Sequence, residues 1–290
     1  RDLHYPLRRQ RQMCIRDSGS VGGAVAMSLA RMGLTNMVFI DFDHIQPHNL
    51  DRLDFATRDD LYKLKVDAAK QRALDVATAS ELYVSTVPYS IVEEAGYRAA
   101  LDCDVLFSCV DRPRPRSILN HFAYAHLIPV VDGGINVRFK HGIFSGADWQ
   151  LQTAGPERAC LECLGAFSWD DVATEAEGKL DDPSYIRGLP DNHRFRRNEN
   201  VYPFSQNLAS LETIQFIALT TACGGFDDFG VQRFRYNPGI LESNLDVECK
   251  SDCQTNGLTA TGDKYFTLCG EDVSTKQAHA EKDNKENDDV

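Results

Sequence analysis

Residues 19–43 read GSVGGAVAMSLARMGLTNMVFIDFD. A glycine turn opens an alanine-rich stretch, 21–32, whose apolar residues recur at helical spacing, and a short apolar run at 37–40 then ends on Asp41. Gly19 and Gly22 fill the second and third glycine positions of a G-x-G-x-x-G turn. In such a turn the backbone comes close to a phosphate, and the helix N-terminus adds partial positive charge. Asp17 stands where the first glycine belongs. Asp41 closes the next strand at the distance where a carboxylate accepts hydrogen bonds from ribose hydroxyls. By themselves these residues fit a nicotinamide or flavin site as well as any other nucleotide.

Outward from this unit, helices are expected over 63–78 and 92–101, with strands at 82–87 and 105–110. A helix over 116–125 and a strand at 128–132 follow. The alternation predicts an α/β fold: a Rossmann-like, doubly wound, mostly parallel sheet with helices on both faces. Residues 137–152 read as a β-meander, and a helix over 208–222 precedes a last strand at 231–236, so the sheet turns mixed towards the C-terminal half. One domain is expected over 19–255, containing a long crossover loop at 165–200. Residues 256–290 are expected as a C-terminal extension, solvated from about 271, where apolar side chains almost vanish.

Upstream, residues 1–18 are basic and lack the apolar run that normally enters a glycine turn. RRQRQMCIRDS also resembles translated sequencing-adapter sequence. The expectation is a non-native segment, leaving a βαβ unit without its first strand.

The chain has 290 residues, 42% of them hydrophobic, and a formal net charge of −12. It shows neither the roughly 20 consecutive apolar residues needed to cross a bilayer nor a secretory signal pattern. A cytoplasmic protein without a membrane partner is expected. The acidic balance argues against a broad nucleic-acid surface, which needs clustered Lys and Arg.

Asp41 and Asp43 are followed by Asn49 and Arg52, then by Lys65 thirteen residues beyond Arg52, then by Cys109-Val110-Asp111 at a strand end, with Arg116 and Asn120 five and nine residues past Asp111. An Arg and a Lys near a phosphate turn can neutralise triphosphate oxygens in a transition state, and Asp111 can hold Mg²⁺ through oxygen. A hydride-transfer enzyme needs neither.

With these residues at these spacings, the chain resembles the ThiF-type family of molybdopterin-synthase and thiamin-pathway adenylyltransferases and ubiquitin-activating enzymes, over about residues 19–255. The resemblance implies ATP- and Mg²⁺-dependent adenylation of the C-terminal carboxylate of a ubiquitin-like or sulfur-carrier protein ending in Gly-Gly, with release of pyrophosphate. Ribose binding by Asp41, with Asp43 in the same motif, is implied. So are triphosphate contacts from Asn49, Arg52 and Lys65, Mg²⁺ and adenylation chemistry at Asp111, further nucleotide-site positions at Arg116 and Asn120, and a homodimer. Arg112 departs from the family's usual Asn, and the N-terminal arginine that family members often present to a partner subunit is not assigned among Arg8, Arg9 and Arg11. Three rivals stay open: a related tRNA threonylcarbamoyladenosine dehydratase, a nicotinamide-dependent oxidoreductase and a non-catalytic scaffold.

Four of the nine cysteines form two close pairs, Cys160/Cys163 and Cys249/Cys253. These spacings suit a closed four-thiolate zinc site that clips the C-terminal segment to the body, the alternative being four ordinary reduced thiols. The resembling family carries a Cys pair at each place. For a thioester nucleophile only Cys223 is in a suitable region, and its apolar flanks favour a packing role. The histidines make no i, i+4 metal pair, and Arg187, Arg194, Arg196 and Arg197 form a basic cluster that can clamp a partner's carboxylate end.

Overall fold

Met13, Cys14 and Ile15 are fully buried, and they make the central strand of the sheet. In the computed structural model, which describes residues 12–16, 18–140, 143–179, 202–222, 225 and 227–265, this strand is β1 (Gln12–Arg16). It runs parallel between β2 (Asn36–Ile40) and β4 (Val105–Ser108). The expectation of a unit lacking its first strand is therefore corrected. Side chains of a central parallel strand alternate between two covered faces, so a three-residue apolar centre suffices. Met13 and Ile15 enter one core and Cys14 the other.

The strand order is β3-β2-β1-β4-β5-β6-β7-β8. β3 (Tyr83–Val87), β2, β1, β4 and the start of β5 (Val130–Lys140) pair in parallel. β5 then forms a long antiparallel hairpin with β6 (Ile143–Ala154), and β7 (Val231–Arg235) and β8 (Ile240–Asn244) extend the sheet antiparallel. The mixed, doubly wound sheet matches the expectation. β8 escaped prediction because every residue in it is exposed, leaving no buried alternation to detect.

Helices α1 (Ser20–Arg31), α2 (Lys65–Val76) and α6 (Tyr202–Thr221) cover one face, and α3 (Glu94–Leu101) and α4 (Pro113–Ala125) the other. α1 approaches closely because its first turns carry only small side chains. A Cβ on Gly23 would stand 2.5 Å from the buried ring of Phe55. Gly23→Ala is therefore expected to cost about 1–3 kcal/mol by overpacking, read as a lower melting temperature that Phe55→Leu partly restores.

α4 starts three residues earlier than expected, because Pro113 suits the first turn of a helix. The expected crossover loop contains α5 (Trp169–Ala176), whose N-cap Ser168 accepts the Asp171 N–H at 3.2 Å. Within the expected C-terminal extension, residues 256–265 make contacts with α3 and α4. The Ala260 N–H donates to the Tyr124 carbonyl at 3.0 Å, the Tyr97 hydroxyl to Asp263 at 2.8 Å, and Arg98 pairs with Asp263 at 3.1 Å. Arg8, Arg9, Arg11, Asp17, Cys223, Arg187, Arg194, Arg196, Arg197 and the polar tail lie outside the described residues. Among the described residues no helix is long and apolar enough to cross a membrane.

Candidate nucleotide site and cysteine clip

Strand order reverses between β1 and β4, and in open α/β sheets such a switch point opens a crevice at the carboxyl ends of the strands. Arg16 stands opposite Ser108, so the turn entering α1 lies beside the Cys109–Asp111 turn. α1 begins at Gly19 with no side-chain cap, leaving its first N–H groups without that partner. Ser18, 2% exposed, donates its backbone N–H to Asp41 Oδ2 at 2.9 Å, while its hydroxyl has no hydrogen-bond partner among the described residues. An orphaned buried hydroxyl beside an uncapped helix N-terminus is what an anionic group such as a phosphate would satisfy.

Asp41 is buried, and its Oδ1 accepts the Asp43 N–H at 2.9 Å. Lys65, the first residue of α2, places Nζ 2.7 Å from Asp43 Oδ2 and 4.0 Å from Asp41 Oδ2. Its N–H also donates to the Asp43 carbonyl at 2.9 Å. The structure thus joins Ser18, Asp41, Asp43 and Lys65. Asn49 is buried and shapes the next turn: its Oδ1 accepts the Gln46 N–H at 2.9 Å and its carbonyl accepts the Arg52 N–H at 3.1 Å, which carries half-buried Arg52 on the same turn. Asp111 is exposed, on the turn between β4 and α4.

Arg116 and Asn120, one helical turn apart, share a face of α4. The structure engages both inside the protein. Arg116 Nε donates to Asp132 Oδ1 at 2.9 Å, Nη2 to the Val110 carbonyl at 2.5 Å and Nη1 to the Ala166 carbonyl at 3.3 Å. Buried Asp132 also accepts from Ser108 Oγ and Gln152 Nε2, both at 2.5 Å. Asn120 Oδ1 accepts the Leu161 N–H at 2.9 Å, and its Nδ2 donates to Thr255 Oγ1 at 3.4 Å. These contacts tie α4 to the cysteine segments. Sequence reasoning missed Ser18, Asp132 and Gln152, which carry no motif of their own.

The sulfurs of Cys160, Cys163, Cys249 and Cys253 all lie within 4.8 Å of one another, with Cys160 and Cys253 at 3.5 Å. Four thiolates about 2.3 Å from a tetrahedral zinc stand about 3.8 Å apart, so the donor set fits. Backbone N–H groups are aimed at the sulfurs: Cys160 to Cys249 at 3.1 Å, Cys163 to Cys160 at 3.4 Å and Lys250 to Cys163 at 3.4 Å. Burial pushes the Cys163 thiol up to about 11 and raises Cys249 as well. Burial also acts to raise Cys253, but hydrogen bonds with Thr255 and Cys160 outweigh it and bring that thiol down to about 7.

This arrangement defines an α/β protein with a crevice at the switch point of its sheet and a thiol-rich clip, and the comparisons narrow the class. The chain belongs to the ThiF family, whose model matches residues 6–220. It is 25% identical over 162 residues to the molybdopterin-synthase adenylyltransferase of Escherichia coli (strain K12), covering 55% of this chain and 60% of that protein. It is also 25% identical over 170 residues to ubiquitin-like modifier-activating enzyme 5 of Drosophila willistoni, covering 55% of this chain and 40% of that protein. The chain thus spans about two fifths to three fifths of these relatives' lengths. A crystal structure of E. coli MccB with ATP superposes with a TM-score of 0.62 at 18% identity, covering 87% of this chain and 68% of that one, a likeness of fold.

Proposed function

We propose that this chain is an ATP- and Mg²⁺-dependent adenylating enzyme acting on the C-terminal carboxylate of a ubiquitin-like or sulfur-carrier protein that ends in Gly-Gly. The observation that carries the reading is the Ser18–Asp41–Asp43–Lys65 cluster at the uncapped start of α1, in a chain of the ThiF family. Gly19 and Gly22 let the backbone approach the phosphates, and the N-terminal N–H groups of α1 face the negative charge. In this reading Asp41, at the end of β2, takes the ribose hydroxyls, and Asp43 of the same motif holds Lys65 beside it.

In the reaction, a carboxylate oxygen of the partner bonds to the α-phosphorus, the bond from that phosphorus to the bridging oxygen breaks, and pyrophosphate leaves. Arg52 and Lys65 balance the growing charge, and Asn49 holds the turn that presents Arg52. Asp111 would hold Mg²⁺, which when bound would supply further neutralisation of phosphate charge. Catalysis in this scheme is positioning and electrostatics, with no cysteine nucleophile assigned. A homodimer in the cytoplasm, where the clip thiols stay reduced, completes the proposal.

The test is ATP–pyrophosphate exchange measured against a panel of ubiquitin-like proteins. Exchange is expected only with a partner that keeps its terminal Gly-Gly. NAD(P)H binding without exchange, or tRNA retained on purification, would replace this reading with one of its rivals.

A further inference from the structure

The Cys109–Asp111 turn is held from both faces of the sheet. Val110 belongs to the core under α4, and its carbonyl accepts from Arg116 Nη2 at 2.5 Å. Cys109 packs against the opposite core, and its thiol donates to Glu212 Oε2 at 3.6 Å from α6. Glu212 is 0% exposed, and among the described residues its Oε1 has no hydrogen-bond partner. That oxygen lies against Gly133, where an added Cβ would fall on top of it. A carboxyl group is costly to bury half-satisfied, and here the facing strand gives up a side chain to make room for it. Leu208 and Ala209 on the same helix are ordinary core residues, so an apolar side chain at 212 would pack more cheaply.

We infer that Glu212 is a positioning residue for the Asp111 turn, acting through Cys109 as the second jaw of a clamp whose first jaw is Arg116. The inference rests on the adenylation reading, in which Asp111 must hold one place while phosphate charge moves. Burial, then the nearby Asp132 carboxylate, keep the Glu212 acid well above its ordinary range. That direction favours the uncharged acid, whose shape and hydrogen-bonding oxygen glutamine keeps. Asp132 and Arg116 are the charged groups that act on it.

The test compares Glu212→Gln and Glu212→Leu in the full chain by three readouts: melting temperature, pyrophosphate exchange over a range of MgATP, and hydrogen–deuterium exchange of peptides spanning 109–112. Glu212→Gln is expected to match the parent in all three. Glu212→Leu is expected to melt no lower, yet to raise KM for MgATP about tenfold and to speed amide exchange at 109–112. Leucine leaving both KM and local amide exchange at parental values overturns the clamp, as does glutamine failing as badly as leucine. A parent without exchange activity towards any partner sinks the adenylation reading instead, and the amide-exchange comparison then decides the clamp alone.

Discussion

Replacing Asp111 with alanine is expected to abolish partner-dependent pyrophosphate exchange, by on the order of 10³-fold or more, while the protein melts at its parental temperature. The side chain is exposed on the turn after β4, where loss of a carboxylate removes no core contact, so stability should move by less than about 0.5 kcal/mol. The backbone of the turn is held by other groups: Arg116 grips Val110, and Pro113 opens α4 just beyond. What disappears is the oxygen ligand for the metal and the charge that orients it. If Asp111→Ala exchanges pyrophosphate at the parental rate, the assignment of this turn to catalysis is wrong, whatever the family.

Why Asp111 could be named from sequence, and Glu212 could not, has a physical basis. Asp41, Lys65 and Asp111 sit at places that a doubly wound sheet dictates: the carboxyl ends of strands and the start of a helix after one. Their spacing follows from strand and helix lengths and so shows in the chain. The pairing of Lys65 with Asp43 and its approach to Asp41 are what the structure adds to that pattern. Ser18, Asp132 and Glu212 act through contacts between distant segments, and nothing in their neighbours' spacing announces those contacts. Arg116 and Asn120 fall between the two cases. Their positions fit the family pattern, but the structure commits their side chains to Asp132, Val110, Leu161 and Thr255.

Two strands stay hidden in the sequence for related reasons. β1 offers only Met13, Cys14 and Ile15 between polar flanks, too short a run to outweigh the basic composition around it. Its burial comes from β2, β4 and the helices, which is tertiary information. β8 is the reverse case, a strand defined by backbone pairing to β7 with no buried face. Periodicity detects neither.

Stripping zinc is expected to produce the largest loss of stability, because the clip joins segments 89 residues apart. The purified protein should carry one zinc per chain, and Cys253→Ser should lose it. Releasing a loop of this length returns about 4 kcal/mol of chain entropy to the unfolded side. For a domain of this size that corresponds to a melting temperature lower by roughly 10 °C. Chelation should do the same to the parent, and should free Thr255 from Asn120 and Ala260 from Tyr124, loosening the far side of α4. The pH dependence has a definite sign. Burial holds the Cys163 and Cys249 thiols protonated without metal, so binding at neutral pH must expel protons, and zinc affinity should fall as pH is lowered. Proton release on adding zinc to the metal-free protein in weak buffer measures this directly. A metal-free preparation that melts like the parent and takes up no zinc would leave four reduced thiols packed together, with residues 249–265 held instead by contacts such as those of Asn120, Tyr97, Arg98 and Tyr124.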